Sequence, residues 1–205
     1  MTKRLQYFKA TRPNGRDFYT ATIDYGAALT SGEVITHPLT QEKGDAGTYL
    51  SISTSAADCT GMNWPCRLFV VEPVGRALKA DSSLPNKRRV SRLRVVAELP
   101  AYEVFGPNGE AVAALIERAG RLTSDELDRL YAAWGAAWGA AWGAAWDAAW
   151  GAARDAARGA AWAAARDAAR VAARGSVLAL VVQDLITPEY FNSLYGPWAS
   201  VIGES

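Results

Sequence analysis

A four-residue repeat between Ala132 and Arg174 constrains the fold of this chain more than any other feature. The unit begins as Ala-Ala-Trp-Gly and drifts into Ala-Ala-Arg-Asp. One phase of the repeat carries tryptophan, at Trp134, Trp138, Trp142, Trp146, Trp150 and Trp162. The same phase carries arginine at Arg154, Arg158, Arg166, Arg170 and Arg174. Because alanine favours the α-helix and the repeat contains no proline, the tract predicts helix.

The start of this helix is marked by its own sequence signals. Thr123 and Glu126 have the spacing of a capping box, with Leu122 and Leu127 placed as a hydrophobic staple. A straight helix over 124–174 would be roughly 75 Å long, whereas a compact domain of this chain length is about 40–45 Å across. The helix therefore either projects beyond the domain or breaks at a glycine and folds back.

The tryptophans indicate a partner surface. A four-residue step advances the stripe by about 40° per repeat, so five tryptophans sweep about 160° of the helix. Each offers on the order of 150–250 Å² for burial, and neighbouring alanine and glycine allow a second helix to approach. We expect a homo-oligomer or a protein partner at Trp134, Trp138, Trp142, Trp146 and Trp150. The alternative is that the stripe packs on its own domain.

The first 120 residues predict a β-rich domain. Short runs rich in β-branched and aromatic residues predict strands over Tyr7–Thr11, Asp17–Ile23, Gly47–Ser53, Arg67–Val74 and Ser91–Leu99. Arg92 and Arg94 alternate with Leu93 and Val95, as in a strand that is wet on one face. An amphipathic helix over Glu110–Ala119 is expected to lie on the sheet. The predicted fold class is α+β.

Three segments follow from these patterns: an α+β domain over 1–121, the repeat helix over 122–175 and a helical segment over 176–205. In the last, Thr187 precedes Pro188 as a helix N-cap, and Gly196-Pro197 predicts the end of that helix. Its aromatic residues are expected to pack back on the domain.

Composition excludes several classes of protein. A net charge of +1 gives no general attraction to nucleic acid. Two cysteines are too few for a disulfide scaffold, so we expect Cys59 and Cys66 to be reduced thiols. Because His37 is the single histidine, the sequence does not favour a zinc site, and no metal is expected. The N-terminus lacks the apolar stretch of a signal peptide, and 131–153 is too rich in alanine and glycine for a membrane span. A cytoplasmic protein without a membrane partner is expected.

Two stretches carry a resemblance to known sequences. Gly47–Cys59, Trp64–Gly75 and Asn86–Arg89 resemble an uncharacterised domain family of actinobacteria and their phages. The tail, with Leu180–Ile186 and Gly196–Gly203, is similar to the end of proteins with Ala-Ala-Trp-Asp repeats in the same genomes. The resemblance implies a phage or prophage setting, and in a phage the host cytoplasm, but no particular activity.

The chain also resembles arginine-serine-glutamate ADP-ribosyltransferases. The resemblance lies in the order of three features along the chain: a basic residue on an early strand, a Ser-Thr-Ser run after a strand, and a glutamate on a late strand. It implies that Arg12 would hold the pyrophosphate of NAD through paired donors. Ser53 and Ser55 would shape the nicotinamide pocket, and Glu98 or Glu103 would stabilise an oxocarbenium-like state. No cofactor is expected outside this reading, and no Walker A or dinucleotide glycine motif occurs.

The leading expectation is thus a phage-type, non-enzymatic assembly or interaction protein that acts through its tryptophan-rich helix. The first alternative is an NAD-using ADP-ribosyltransferase-like enzyme. The second is a nucleotide or nucleic-acid binder that uses the basic strand Lys87–Arg94, with Arg92 and Arg94 as ligand-binding residues.

Overall fold

The computed structural model describes residues 5–37, 49–59, 63–79, 85–137, 140–156 and 173–203. The chain has the predicted α+β fold, strand-rich in its N-terminal part and helical thereafter. It divides into two compact units, 1–104 and 105–205. The predicted domain boundary at residue 121 falls inside the second unit.

The first unit is built on one antiparallel sheet of seven strands. In chain order the strands are β1 (Tyr7–Thr11), β2 (Val34–Thr36), β3 (Leu50–Ser53), β4 (Arg67–Pro73), β5 (Leu78–Lys79), β6 (Lys87–Val90) and β7 (Arg92–Leu99). Their order in the sheet is β2-β7-β4-β1-β3-β6-β5. Four of the five predicted strands are confirmed, since β1, β3, β4 and β7 lie within the predicted ranges.

The sheet curls strongly, as its connectivity shows. Only Ser91 separates β6 from β7, yet β4, β1 and β3 lie between these two strands in the sheet. Four strand spacings in a flat sheet would be about 19 Å, whereas the two residues that flank Ser91 can be at most about 7 Å apart. The ends of β6 and β7 can meet only if the sheet bends around on itself.

The core fills the inside of this curl. Residues from β3, β4, β6 and β7 form one cluster with the short helix α1 (Tyr25–Ser31). The ring of Tyr25 lies 6.5 Å from that of Phe69. Val90 and Leu93 both belong to the cluster, three residues apart, so strict alternation fails at Ser91–Arg92, where the chain bends. On β7 the predicted alternation is confirmed, with Arg92 and Arg94 exposed and Leu93 and Val95 buried.

The strand predicted over Asp17–Ile23 is wrong. The segment forms a loop around the buried carboxylate of Asp17, which accepts hydrogen bonds from the backbone N–H groups of Tyr19 (3.1 Å), Thr20 (2.7 Å) and Ile23 (3.0 Å). Helix α1 follows, with the Asp24 side chain as its N-cap. A local carboxylate that bonds three nearby amides offers the backbone an alternative to a strand ladder.

The second unit is helical. Its helices are α2 (Gly109–Gly120), α3 (Ser124–Ala137), α4 (Ala140–Ala156), α5 (Arg174–Val181) and α6 (Pro188–Ile202). Helix α5 is buried from Gly175 to Val181 and contacts α2, α4 and α6. The helix predicted over 110–119 is confirmed as α2. Within this unit, α2 contacts α5.

The capping box at the start of α3 is confirmed in both directions. The backbone N–H of Thr123 donates to Oε2 of Glu126 at 2.9 Å, and the N–H of Glu126 donates to Oγ1 of Thr123 at 3.3 Å. The other carboxylate oxygen of Glu126 accepts from the guanidinium of Arg118 at the end of α2. Glu126 therefore joins two consecutive helices.

This carboxylate predicts an acid-sensitive stability. The Arg118 hydrogen bond, followed by that of the Thr123 backbone, lowers the pKa of Glu126 from 4.5 to about 2. Since the folded-state pKa is depressed, the contribution is complete above pH 4.5 and is lost as the pH falls towards 2. We expect Glu126→Gln to flatten the fall in melting temperature across this window. Glu117→Gln, which breaks only the exposed pair with Arg121, should leave the profile unchanged; equal slopes in both variants would contradict the assignment.

Two helices, α3 and α4, cover the described part of the repeat as far as Ala156. Helix α3 ends at Ala137, α4 begins at Ala140, and both contact α6. The rings of Trp134 and Trp142 lie 5.3 Å apart, whereas eight residues of straight helix would separate them by about 12 Å along the axis. Whether the tract projects or folds back stays a prediction, because residues 138–139 and 157–172 lie outside the described residues.

The C-terminal helix begins as predicted but ends later. Thr187 caps α6 by accepting a hydrogen bond from the N–H of Tyr190, and Pro188 occupies its first turn. The predicted end at Gly196-Pro197 is wrong, because α6 continues through Pro197 to Ile202. Trp198 immediately follows Pro197 and is fully buried. Its burial in the helical core offsets the hydrogen bond that a proline removes from the helix.

Candidate interaction surface

Trp134, the first predicted interaction residue, lies inside the helical unit. Its side chain is buried, 8% exposed. The outer atoms of the indole pack against Gly175 in α5, where a Cβ would lie 2.8 Å from Cζ2 and nearer still to Cη2. Only glycine leaves room for this contact. Trp134 is therefore part of the fold of the unit.

Three further tryptophans form a continuous stack along α4, which we call the indole column: Trp142, Trp146 and Trp150. The rings of Trp142 and Trp146 lie 5.1 Å apart and nearly parallel, at 20°. Those of Trp146 and Trp150 meet edge to face, 5.7 Å apart at 69°. Trp134 closes the inner end through its edge contact with Trp142. All three side chains of the column are half-buried.

A different face of α4 packs into the unit. Ala145 and Ala149 are fully buried, and α4 contacts α5 and α6. The four-residue spacing explains why the alanines and the tryptophans lie on different faces of α4. Each buried alanine precedes a tryptophan by one residue, which corresponds to a rotation of about 100° around the helix. Small side chains thus allow close helix packing, while the large indoles stay at the flank. Trp138, Trp162 and the arginines from Arg158 to Arg170 lie outside the described residues.

The structure does not bring Ser53 and Glu98 together. Ser53 is aligned with Phe8, Phe8 with Val70, and Val70 with Ala97 across four neighbouring strands. Directly opposed residues share a face of a sheet and successive residues alternate. Ser53 therefore lies on the face of Ala97, three strands away, and Glu98 lies on the other face.

The remaining residues of the NAD reading have structural partners or separate locations. Arg12 donates from Nε to the carbonyl of Asp17 at 3.1 Å and from Nη2 to that of Phe18 at 2.7 Å, so it holds the Asp17 loop. Glu98 accepts two hydrogen bonds from Arg67, at 2.7 and 2.6 Å. Ser55 precedes the 3₁₀ turn Ala56–Asp58 without capping it through its side chain. Glu103 is exposed in the 3₁₀ turn Ala101–Phe105.

The predicted basic strand is two strands. Lys87 and Arg88 belong to β6, on the far side of the sheet order from β7, which carries Arg92 and Arg94. Both β7 arginines are exposed, and Arg94 faces Glu72 of β4 across the ladder. A carboxylate at that position counters the attraction for phosphate. Ligand binding by Arg92 and Arg94 stays a prediction.

Sequence reasoning missed three buried ionisable side chains of the first unit, one in the middle of β1, one at the start of β6 and one that follows β3. Lys9 and Lys87 are 7% and 4% exposed, and Cys59 is 4% exposed. Burial lowers the pKa of Lys87 to about 8. Burial raises the pKa of the Cys59 thiol, and it raises that of the Cys66 thiol to about 12; both thiols are free. Lysines in strands give no sequence signal of burial.

Two other types of site are not found where the structure describes the chain. No cluster of three or more histidine, cysteine, aspartate or glutamate side chains there could hold a metal ion. No helix in the described ranges has both the length and the apolar character needed to cross a membrane.

Comparison of the chain with protein-family models, with curated proteins and with solved structures finds no match. The resemblance to phage and actinobacterial sequences therefore stays a prediction.

Proposed function

We propose that this chain is a non-enzymatic assembly protein whose copies associate through the indole column of α4. The observation that supports this most is that Trp142, Trp146 and Trp150 stack into one surface that the helical unit leaves half-buried. Fully covering such rings releases more free energy than covering any other side chain of similar exposure, and tryptophan is enriched at the centres of interfaces.

A second copy of the chain suits this surface for two reasons. A stack of indoles is self-complementary, because rings of one helix can lie against those of an identical helix related by a twofold axis. The net charge of +1 also opposes association of two copies very little. Among the residues that the structure describes, no atom lies within 4 Å of a Cβ added at Gly143 or Gly151, which leaves space beside the column for a neighbouring helix.

The proposal narrows the set of interaction residues. Trp134 supports the column from inside the unit, because it is buried against Gly175. Trp142, Trp146 and Trp150 provide the contact surface. The phage or prophage setting that the resemblance implies agrees with a role in assembly.

Mutation of the middle indole tests this function. We expect Trp146→Gln to weaken self-association of the intact chain at least tenfold, since truncation of a central tryptophan removes about 2 kcal/mol or more from an interface. Tyr131→Gln on α3 is the matched control, because Tyr131 is 53% exposed and lies outside the column. Light scattering over a concentration series gives the dissociation constants, and circular dichroism confirms the helix content. Equal association by the two variants would refute the role of the column.

A further inference from the structure

A single charged residue interrupts the tryptophan-rich part of the repeat. Asp147 is the only charged residue between Tyr131 and Arg154, and it occupies the fourth position of the repeat unit. The units before and after it carry glycine at that position, as Gly143 and Gly151. The one negative charge of this stretch therefore directly follows Trp146, the middle indole of the column.

Asp147 lies on the outward side of α4, next to the indole column. Successive residues of a helix are about 100° apart, so Asp147 lies about 100° from Trp146 in one direction and Ala145 about 100° in the other. Ala145 is fully buried, whereas Asp147 is exposed. The indoles thus stand between the face of α4 that packs into the helical unit and the face that carries Asp147.

The row of residues that contains Asp147 is open to an approaching helix. Gly143 and Gly151 lie one turn before and one turn after it, on the same side of α4. No atom of the described residues lies within 4 Å of a Cβ added at either glycine. Within the described ranges, Asp147 has neither a hydrogen bond nor an ion pair. Its charge is therefore not neutralised by the part of the unit that the structure describes.

A second copy that covers the column brings the two Asp147 carboxylates together. Two columns overlap most fully when their middle indoles lie level, and a twofold axis perpendicular to antiparallel helices keeps equivalent residues on the same flank of the contact. Packed helices have axes about 8–10 Å apart, within the Debye length of about 10 Å at 0.1 M salt. The two negative charges therefore repel each other at the centre of the contact.

We infer that Asp147 limits the association of copies through the indole column and makes it depend on charge. The indoles provide the attraction, and the facing carboxylates set its strength. The contact tightens when salt screens these carboxylates or when one of them meets a cationic group. This inference rests on the proposed self-association and names a residue that regulates it. The net charge of +1 provides no other strong repulsion between copies.

Removal of the charge tests this role. We expect Asp147→Asn to lower the dissociation constant of the intact chain about fivefold or more, because like charges placed opposite each other weaken an interface. Asp128→Asn is the matched control, since it removes the same charge from an exposed site on α3, outside the column, and should associate as the parent does. Light scattering at about 0.1 M salt gives the constants.

The outcomes separate this inference from the proposed function. If Asp147→Asn associates no more tightly than the parent while Trp146→Gln weakens association, the inference is wrong and the proposed function stands. If neither the parent nor Asp147→Asn associates at any concentration, both are wrong.

A mixture of two charge variants tests whether the two residues face each other. Asp147→Lys alone should associate no better than the parent, because it again places like charges together. An equal mixture of Asp147→Lys and the parent should associate about tenfold more tightly than either alone, since opposite charges then meet. This gain should vanish at about 1 M salt, where the Debye length is about 3 Å. A mixture that associates only as well as its components would overturn the inference.

Discussion

Replacement of Gly175 by alanine is expected to lower the free energy of unfolding of the helical unit by about 2–3 kcal/mol, as overpacking of a rigid core does. A Cβ at this position would lie 2.8 Å from Cζ2 of Trp134. Neither side can yield easily. Helix α5 is buried from Gly175 to Val181, and Trp134 is held on its other side by the edge of Trp142.

A matched control separates this clash from the general effect of alanine in a helix. Gly151 of α4 is also helical, but a Cβ there meets no atom of the described residues within 4 Å. Gly151→Ala should therefore stabilise the unit by about 0.5–1 kcal/mol. Shortening the opposing ring in the double variant Gly175→Ala/Trp134→Leu should recover part of the loss, a coupling that a double-mutant cycle measures.

Tryptophan fluorescence in a denaturant titration follows these variants, because seven of the eight tryptophans lie in the second unit. Equal midpoints for Gly175→Ala and Gly151→Ala would contradict the packing of Trp134 on Gly175.

Asp17→Ala is expected to lower the free energy of unfolding of the first unit by about 2–4 kcal/mol, because buried donors left without an acceptor cost about 1–3 kcal/mol each. Asp17 is 5% exposed and accepts from three backbone amides and from the hydroxyl of Thr20. These bonds fix the loop that leads into α1 and hence place Tyr25 in the core.

Hydrogen exchange locates this effect. In Asp17→Ala the amide of Ile23 should exchange much faster, together with the amides of α1. Asp128→Ala provides the control, since Asp128 is exposed on α3 and its removal should change neither exchange nor the melting temperature measurably. Protection of Ile23 that survives in Asp17→Ala would show that the loop is held by other contacts.

The parts of the fold that local sequence specifies were predictable. The capping box at Thr123 and Glu126 requires only residues three apart, and the structure confirms it. The apolar runs of β1, β4 and β7 identify strands because one or both of their faces are buried. The α+β class follows from these runs and from the alanine-rich tract.

The loop at Asp17 was not predictable in this way. Tyr19 and Ile23 are residue types that are common in strands, so the segment resembles one. Nothing in the local sequence shows that the carboxylate of Asp17 accepts hydrogen bonds from the backbone that follows it. The packing of the repeat had the same difficulty. Every repeat offers an equivalent alanine, glycine and tryptophan, so the sequence does not show which of them contact α6.

The candidate site was predictable only in part. The four-residue phase identified the tryptophans that stack, because residues four apart on a helix are neighbours. It did not distinguish Trp134, whose burial depends on Gly175, forty-one residues later in the chain. The sequence predicts Lys87 as one member of a basic strand over 87–94, whereas the structure pairs it with Ser53 and buries it.

The mass of the intact chain in solution tests the central claim most directly. The protomer has a mass of 22.0 kDa. If copies associate through the indole column, sedimentation equilibrium should give a mass that rises with concentration to a multiple of this value, twice it for a twofold contact. Trp146→Gln should shift the same transition to higher concentration. A mass of one protomer at every concentration would contradict self-association.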